Sequence, residues 1–468
     1  MEKRQRLKLF DIPREEIPYG VSFHAGKSII VFRAENDRIK ATRNVCRHQG
    51  GSFVPTKKNG SCLLRCPHHG WILDVENMEY TNPSGGLRQN ELIIEEFADC
   101  ISITEEGPHR AWKKGEIEPQ VLHANEWTLR FFAHACAEII AGSQRIFTDP
   151  WLVGPAFARG WWLVHTPPSD WLDSLAKADA IYISHNHSDH LNTYTLRELQ
   201  KRNPEVLMIA PGFASRSVEL PLRTLGFTNI KVVEFGVWEM LDSNTKLMVL
   251  ADAAGRDDSG LLLDYKGHSL LNTVDCANLN DGNLPEKVDV LLSSFASGAS
   301  GFPVCWEEMY SPQKISSIVE KNRALSMKHF VDTAKMVQPR IAIPFAGYFR
   351  EAHPNDHLIE RMNIKNTPNA VRERMAKEGL DAFVWIPRSG GTIDCGGPNK
   401  IDPDITAPVP RTLESFEFEK YVSLIEDDAR CPALSTMEGV VKYFEWAGYR
   451  ANHVLHVIET DDTFSNVM

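Results

Sequence analysis

The run ISHNHSDHL at residues 183–191 decides the fold of the larger part of this chain. It begins within a strand-like run, AIYIS at residues 180–184, and continues into a loop. Four of six consecutive positions carry metal-ligand side chains, namely His185, His187, Asp189 and His190. Ordinary core or surface polar residues do not account for so dense a set, so the run predicts a metal centre.

The H-x-H-x-D-H spacing resembles the ligand loop of the metallo-β-lactamase fold. From about residue 126, strand-like runs alternate with helix-like runs, which is α/β organisation. The resemblance implies an αββα sandwich, in which Asp149 positions the ligand loop. It also implies that the first two histidines of the run bind one metal, and that the aspartate and the third histidine bind a second. Asp275 would then bridge the two metals, and His353 would complete the second site. Asp252 stands where the fold usually has another histidine, and it is either a replacement ligand or an ordinary polar residue.

A second metal-binding motif lies in the first hundred residues. CRH at residues 46–48 is followed, after 17 intervening residues, by CPHHGW at residues 66–71. Two thiolates and two imidazoles in two short loops resemble the ligand set of a Rieske [2Fe–2S] cluster. Zinc would accept the same donors, but a single residue between the first Cys and His is fewer than zinc fingers usually have. The predicted cluster ligands are Cys46, His48, Cys66 and His69, with His68 outside the set.

Changes in pattern along the chain predict four segments. Short strand-like runs separated by turn residues indicate an all-β domain over residues 1–105, called the β domain below. A charged stretch with glycine and proline predicts a linker over 106–125. The α/β domain is predicted over 126–400. A Pro-rich start marks a C-terminal extension over 401–468, which is expected to pack on the α/β domain.

The overall composition argues against several classes of function. The chain has 468 residues, of which 43% are hydrophobic and 24% charged, as in globular proteins. Its 51 Lys and Arg against 62 Asp and Glu give a net charge of −11, which lacks the basic character of a nucleic-acid-binding protein. We find no apolar run long enough to span a membrane and no apolar stretch of a signal peptide near the start. We therefore expect a cytoplasmic protein without nucleic-acid partners, whose nine cysteines are core residues or metal ligands.

The two metal motifs together favour redox chemistry. A metallo-β-lactamase fold alone usually indicates zinc hydrolysis with a metal-bound water as nucleophile. Zinc cannot accept an electron, so an iron–sulfur cluster would have no part in that reaction. His and carboxylate ligands also suit non-haem iron, with one ion or two, which can receive electrons from the cluster and use O₂. The prediction is a monooxygenase; a zinc hydrolase with a regulatory cluster domain and a non-enzymatic redox carrier are the alternatives.

Over most of its length the sequence resembles the CMP-N-acetylneuraminate hydroxylases. The resemblance is densest in five segments, at residues 149–162, 183–191, 272–276, 297–303 and 344–354. It implies hydroxylation of the N-acetyl group of CMP-bound sialic acid to N-glycolyl, with O₂ and a one-electron donor. The animal enzymes imply cytochrome b5 as donor, whereas CPHHGW is closer to bacterial Rieske proteins and implies a ferredoxin with its reductase. A related oxygenase acting on another small polar substrate is the alternative.

The substrate implied by the resemblance carries a phosphate and a carboxylate, so its pocket needs cations. Arg159, which lies between aromatic residues, is the first candidate, and Lys365 is a second. Aromatic rings that could stack on cytosine or the sugar belong to Phe157, Trp161, Trp162 and Tyr348. Core packing explains each of these rings as well. Three other histidines, His165, His268 and His329, are expected to be core or surface residues.

Overall fold

Three small antiparallel sheets make up the β domain. The computed structural model describes residues 6–47, 51–56, 62–67, 70–82, 87–106, 119–157, 160–254, 256–299, 303–304, 310–351, 357–396, 457–460 and 463–466. The strands of the first part are β1 (Arg6–Pro13), β2 (Gly20–His24), β3 (Ile29–Arg33), β4 (Ile39–Arg43), β5 (Val54–Pro55), β6 (Leu63–Arg65), β7 (Ile72–Asp74), β8 (Glu79–Tyr80), β9 (Ile93–Glu96) and β10 (Cys100–Glu106). They pair in the orders β1-β10-β9, β2-β3-β4 and β5-β6-β7-β8.

Strand β3 lies between two apolar clusters, because successive side chains of a strand point to opposite faces. Ile30 and Phe32 face a cluster that also contains Cys46 and Cys66. Ile29 and Val31 face another cluster, formed with residues of β1 and β10. This explains why a short strand is apolar at nearly every position and not at alternate ones.

Two seven-stranded sheets form the α/β domain. Its strands are β11 (Trp127–Ala133), β12 (Cys136–Ala141), β13 (Gln144–Thr148), β14 (Trp161–Leu163), β15 (Ala180–Tyr182), β16 (Leu207–Pro211), β17 (Ile230–Val233), β18 (Trp238–Met240), β19 (Thr245–Ala251), β20 (Ser259–Tyr265), β21 (His268–Val274), β22 (Val290–Ser294), β23 (Ile341–Phe345), β24 (Phe349–Glu351), β25 (Phe383–Val384) and β26 (Thr392–Asp394). The helices are α1 (Trp171–Leu175), α2 (Thr193–Arg202), α3 (Glu219–Thr224), α4 (Pro312–Val337), α5 (His357–Met362) and α6 (Pro368–Lys377). The sheet orders are β17-β16-β15-β13-β12-β11-β26 and β18-β19-β20-β21-β22-β23-β25, and β14 pairs with β24.

The two large sheets pack face to face around one apolar core. The rings of Phe131 in β11 and Phe345 in β23 meet edge to face, with centroids 6.2 Å apart. The hydroxyl of Tyr182 in β15 lies 2.7 Å from that of Ser259 in β20, so buried polar groups also join the sheets. Helix α3 contacts β16 and β17, and α4 contacts β22. Among the described residues, no helix combines the length and the apolar character that a membrane span requires.

The ligand loop occupies the carboxyl end of β15, where parallel strands meet. Strands β13, β15 and β16 run parallel, so the residues that follow β13 and β15 lie side by side. After the loop, α2 begins at Thr193, and the side chain of Asn192 accepts a hydrogen bond from the backbone N–H of Thr195 at 3.0 Å. This cap ends the loop at a fixed point, so its ligand side chains are held between a strand and a helix.

The strands of the two domains lie on either side of the predicted linker. Strand β10 ends at Glu106, and β11 begins at Trp127. The predicted C-terminal extension falls mostly outside the described residues, which contain its antiparallel pair β27 (Val457–Thr460) and β28 (Thr463–Asn466). Its packing on the α/β domain stays a prediction.

Candidate metal centres

A buried aspartate at the end of β13 holds the ligand loop in place. Asp149 is fully buried, and its Oδ1 accepts a hydrogen bond from the backbone N–H of Ser184 at 2.7 Å. Its Oδ2 accepts one from the Ser184 hydroxyl at 2.7 Å and lies 3.0 Å from Nδ1 of His190. When Nδ1 donates to this carboxylate, Nε2 of His190 is left to bind a metal. Asp149 therefore occupies the positioning role that the resemblance implied.

The histidines of the loop bring their ring nitrogens together. Nε2 of His185 and Nδ1 of His187 lie 2.9 Å apart, and the ring centroids of His185 and His190 are 4.1 Å apart. Burial, reinforced by the neighbouring histidines, lowers the pKa of His185 and of His187 to about 4. Both rings are therefore neutral near pH 7, which is the form that binds metal.

Two carboxylates flank His190. Its Nε2 lies 3.4 Å from Oδ2 of Asp189 and 3.4 Å from Oδ2 of Asp275, the residue that follows β21. Burial works to raise the pKa of Asp275, but the adjacent imidazole of His190 outweighs it and lowers the pKa to about 2. Asp275 is thus ionised and ready to bind a cation.

His134 is a site residue that the sequence analysis did not include. It lies in the turn between β11 and β12, is 1% exposed, and has a backbone φ of 47°. Its Nε2 lies 3.1 Å from Oδ2 of Asp189. The signal in the sequence is a polar side chain in an otherwise apolar run, FFAHACA at residues 131–137. Such a run is typical of buried strands, and its histidine was not set apart from them.

The described residues fit a metal centre. Among the described residues of the α/β domain, two groups have ligand atoms within 4.8 Å of one another, namely His134, Asp189 and His190, and His185, His190 and Asp275. Atoms bound about 2.1 Å from one ion lie roughly 3.0–3.4 Å apart, close to the spacings of these pairs. Buried atoms without a hydrogen-bond partner include Nδ1 of His134, Oδ1 of Asp189 and Nε2 of His190. Since such atoms are rare in folded proteins, they support a bound ion.

Asp252 joins neither group among the described residues. Its Oδ1 accepts hydrogen bonds from the backbone N–H groups of Ala254 at 3.1 Å and Asn278 at 2.8 Å. Its Oδ2 accepts one from Ala277 at 3.2 Å and lies 3.5 Å from Arg256. Both oxygens of this candidate replacement ligand are therefore already engaged by neighbouring groups of the protein. We therefore leave Asp252 out of the proposed ligand set.

Arg256 and Asp258 lie beside the ligands, although no motif in the sequence marks either residue. Nη2 of Arg256 lies 3.2 Å from Oδ2 of Asp258 and donates to the backbone carbonyl of Asp275 at 3.2 Å. Burial raises the pKa of Asp258 to about 6, although Arg256 and His187 oppose this rise. Arg256 thus holds the backbone of a candidate ligand and partly neutralises the carboxylates around it.

Four predicted site residues lie outside the described residues: His48, His69, Arg159 and His353. Their roles stay predictions.

Three of the aromatic residues predicted to bind the substrate are buried. Trp161 is 8% exposed and stacks on Phe349 with ring centroids 3.5 Å apart. Trp162 is 4% and Tyr348 3% exposed, and the Tyr348 hydroxyl donates to the carbonyl of Pro344 at 3.0 Å. Their burial favours core packing, which the sequence already offered as the alternative, over ligand contact.

The other two candidates differ from one another. Nζ of Lys365 lies 2.5 Å from Oε2 of the buried Glu351, so its charge is already paired. Phe157 is partly buried, its ring centroid lies 5.7 Å from that of His187, and its backbone N–H donates to the Ser188 hydroxyl at 2.7 Å. Of the described candidates, Phe157 is therefore the one that lies against the ligand loop.

Cys46 and Cys66 begin two loops that close in the same way. The N–H of Cys46 donates to the carbonyl of Gly51 at 2.7 Å, and the N–H of Cys66 donates to that of Trp71 at 2.7 Å. Both cysteines are buried, with 1% and 2% of their surface exposed, in one apolar cluster. Two thiols carried by matching loops into one cluster fit the cysteine half of a [2Fe–2S] ligand set.

Two family models match this chain. The Rieske [2Fe-2S] domain matches residues 9–85, and the beta-lactamase superfamily domain matches residues 128–292. These matches confirm the predicted fold classes of the two domains.

Curated relatives match nearly the whole chain. The cytidine monophosphate-N-acetylneuraminic acid hydroxylase of Asterias rubens is 41% identical over 446 residues, which cover 93% of this chain and 68% of the relative. The enzyme of the same name from Mus musculus is 40% identical over 453 residues, covering 94% of this chain and 78% of the relative. Among solved structures, CmlA, a diiron beta-hydroxylase from Streptomyces venezuelae, is 15% identical with a TM-score of 0.38, covering 58% of this chain and 55% of that chain.

Proposed function

The chain belongs to the family of cytidine monophosphate-N-acetylneuraminic acid hydroxylases, and from this premise we propose that it converts the N-acetyl group of CMP-N-acetylneuraminate into an N-glycolyl group. The observation that carries the proposal is that one chain combines a Rieske domain with a buried His and Asp centre in a β-lactamase-type domain. A zinc hydrolase would need the His and Asp centre but would have no use for the Rieske domain. The reaction consumes one O₂, two electrons and two protons; one oxygen atom enters a methyl C–H bond, and the other leaves as water.

We propose that the centre holds non-haem iron. The ligand set is His134, His185, His187, Asp189, His190 and Asp275, to which sequence adds His353. Iron in such a set supplies one-electron chemistry with O₂, which zinc cannot supply. Asp149 orients His190 through Nδ1, and Arg256 holds the carbonyl of Asp275. The low pKa values of His185 and His187, both about 4, keep the two rings neutral, so each has one unprotonated nitrogen for the metal.

We propose that the substrate approaches the centre on the side of Phe157. Its ring lies against His187, and Arg159 follows two residues later in the same segment. An arginine suits a phosphate or carboxylate because its planar guanidinium can donate two parallel hydrogen bonds. The ring of Trp161 packs edge to face on that of Phe157, with centroids 4.5 Å apart, and so supports its position. The contacts of Trp162, Tyr348 and Lys365 with the substrate stay predictions.

Electrons would reach the Rieske domain from a one-electron donor protein. Cytochrome b5 and a ferredoxin with its reductase both remain proposals, and the cytoplasmic location stays a prediction. The donor can be identified by measuring which of the two reduces the cluster of the purified protein under anaerobic conditions.

The test of the function is product formation by the iron-loaded protein. CMP-N-acetylneuraminate, O₂ and a chemical reductant should give a product with one added oxygen atom, and isotopically labelled O₂ should pass its label to that product. Omission of the reductant should abolish the product. Cleavage of the substrate without reductant, and with no oxygen incorporated, would favour the hydrolase alternative and contradict the proposal.

A further inference from the structure

An arginine in the first cysteine loop reaches into the α/β domain. Arg47 lies between Cys46 and the predicted ligand His48. Its Nη2 forms an ion pair with Oδ1 of Asp257, a residue that lies between β19 and β20. The two side chains are 13% and 6% exposed, so the pair is largely removed from solvent. It is therefore an inter-domain contact that water does not weaken much.

The α/β domain presents Asp257 in a fixed orientation. Its Oδ2 accepts hydrogen bonds from the hydroxyl groups of Ser215 and of Ser217, the latter at 3.2 Å. These two bonds leave Oδ1 directed at Arg47. Close by in the sequence, Leu220 packs against the apolar cluster that contains Cys46 and Cys66. A polar contact and an apolar contact thus join the same two surfaces.

Hydrogen bonds within the β domain also fix the position of Arg47. Its backbone N–H donates to the hydroxyl of Tyr80 at 3.0 Å, and that hydroxyl donates to Oε1 of Gln89 at 2.7 Å. The ring of Tyr80 meets Trp71 edge to face at 5.0 Å, and Trp71 closes the second cysteine loop. The position of Arg47 is therefore fixed relative to both loops.

On the far side of the pair, the chain leads directly to the metal ligands. Asp258 follows Asp257 and pairs with Arg256, which donates to the backbone carbonyl of the candidate ligand Asp275. The hydroxyl of Ser259 donates to the carbonyl of Ser184 at 2.7 Å, and Ser184 precedes His185. A short series of covalent and hydrogen bonds thus connects the first cysteine loop with the ligand loop.

We propose that the Arg47–Asp257 ion pair docks the first cysteine loop on the α/β domain of the same chain. Each chain then contains both the [2Fe–2S] cluster that donates electrons and the metal centre that accepts them. The inference rests on the proposed function and adds its geometry: electrons pass within a chain and not between chains. Each passage takes one electron from the reduced cluster, leaves it oxidised, and requires re-reduction by the donor protein. Two passages supply the two electrons that one hydroxylation consumes. Arg47 and Asp257 are positioning residues in this scheme.

The reduction potential of the cluster tests whether both charges lie near it. An added electron is stabilised by a nearby cation and opposed by a nearby anion. We therefore expect Arg47→Met to lower the potential and Asp257→Asn to raise it. Arg43→Met is the matched control, because Arg43 lies in the same domain but pairs with Glu105 at an exposed site. Its potential should equal that of the wild type. Shifts of Arg47→Met and Asp257→Asn in the same direction, or none, would overturn the proposal.

The rate of cluster reoxidation tests docking itself. The protein is reduced anaerobically and mixed with O₂ and CMP-N-acetylneuraminate, and the visible absorbance of the cluster is followed. Removing one partner of a buried ion pair shifts the docked population by about a hundredfold or more, so reoxidation should slow accordingly in Arg47→Met and Asp257→Asn. Arg47→Lys should recover part of the rate, and Arg43→Met should retain all of it. Asp257→Asn keeps its side-chain shape, so the test does not depend on Arg47→Met folding well. An unchanged rate in Asp257→Asn would contradict docking through this pair.

Mixing two inactive chains distinguishes transfer within a chain from transfer between chains. Cys46→Ser lacks the cluster, and His187→Ala lacks a metal ligand, so neither makes product alone. We expect their mixture to stay inactive, and recovery of product would overturn the proposal. Failure of the proposed function looks different, because the wild-type protein itself would then reoxidise its cluster without forming hydroxylated product.

Discussion

Oδ2 of Asp149 lies 3.0 Å from Nδ1 of His190, although the two residues are 41 positions apart in sequence. Both side chains are completely buried. The contact arises because β13 and β15 are parallel neighbours, and it joins the end of one strand to the loop that leaves the other. A carboxylate on Nδ1 orients the ring and makes Nε2 a better ligand.

Replacing Asp149 should therefore weaken metal binding without removing a ligand. We expect Asp149→Asn to lower the affinity for Fe²⁺ by about 10- to 100-fold, which is usual for loss of a residue that orients a ligand. A competition titration of the metal-free protein measures this. Asp173→Asn is the control, since Asp173 is exposed and pairs only with exposed Arg202 in the described structure. Equal affinities of the wild type and Asp149→Asn would contradict the role given to Asp149.

The cluster should depend on Cys46. Cys46→Ser removes a thiolate that the [2Fe–2S] cluster requires, so the visible absorbance and the electron paramagnetic resonance signal of the reduced cluster should disappear. Cys100→Ser should keep both, because Cys100 begins β10 and is not in the apolar cluster of Cys46 and Cys66. His68→Ala should also keep its colour, since we place His68 outside the ligand set. A fully coloured Cys46→Ser protein would contradict the assignment.

The parts of the site that follow a local pattern could be predicted from the sequence. The run TYTLRELQKR predicts a helix, and α2 begins and ends with that run, at Thr193 and Arg202. The ligand loop between β15 and α2 follows from its spacing alone. Asp149 and Asp275 could be found because each ends a strand-like run, and a polar residue at such a point tends to lie at the functional edge of a sheet.

The parts that depend on contacts across the fold could not be predicted. His134 lies in an apolar run, and only the turn after β11 directs it at Asp189. Asp252 occupies the position of a ligand in sequence, but the backbone N–H groups of the following loops bind its carboxylate. The pairing of Arg47 with Asp257 joins residues 210 positions apart, in two domains, and no sequence period connects them. The burial of the aromatic candidates is a further example, because a sequence alone does not show which face of a strand is covered.

His165 should make the protein less stable in acid. Burial lowers its pKa from 6.5 to about 4, with His134 adding to the effect, and neither ring nitrogen has a hydrogen-bond partner. As the pH falls, the unfolded chain takes up a proton at His165 before the folded chain does. The free energy of unfolding therefore falls between about pH 6.5 and 4, by up to about 1.4 kcal/mol per pH unit, and the loss levels off below pH 4.

The variant His165→Phe should remove this dependence. Its ring can keep the contacts with Phe131 and Tyr348, and no unsatisfied nitrogen remains. We expect the difference in unfolding free energy between variant and wild type to grow by about 3 kcal/mol from pH 7 to pH 4. Urea unfolding of the metal-free proteins at several pH values measures it. A difference that does not change with pH would show that His165 is not buried as a neutral ring.

Exchange of the metal distinguishes an oxygenase from a hydrolase. Zinc accepts the same His and Asp donors as iron but cannot take up an electron. We therefore expect the zinc-loaded protein to be folded, coloured by its cluster and unable to form product. A chemical reductant should still reduce the cluster, because that step involves only the β domain. Reoxidation by O₂ should then become slow and should not depend on the substrate.

His187→Ala should reproduce the zinc form while leaving the cluster untouched, since His187 lies in the ligand loop and the cysteine loops are elsewhere in the chain. The hydrolase alternative leads to opposite expectations for the same samples. Zinc would restore turnover, no reductant would be needed, and Cys46→Ser would stay active, because hydrolysis makes no use of an electron. Product formation by the zinc-loaded protein in the absence of a reductant would therefore overturn the proposed function. Loss of product on metal exchange, with the cluster still reducible, requires a redox metal at His185, His187, His190 and their carboxylate neighbours.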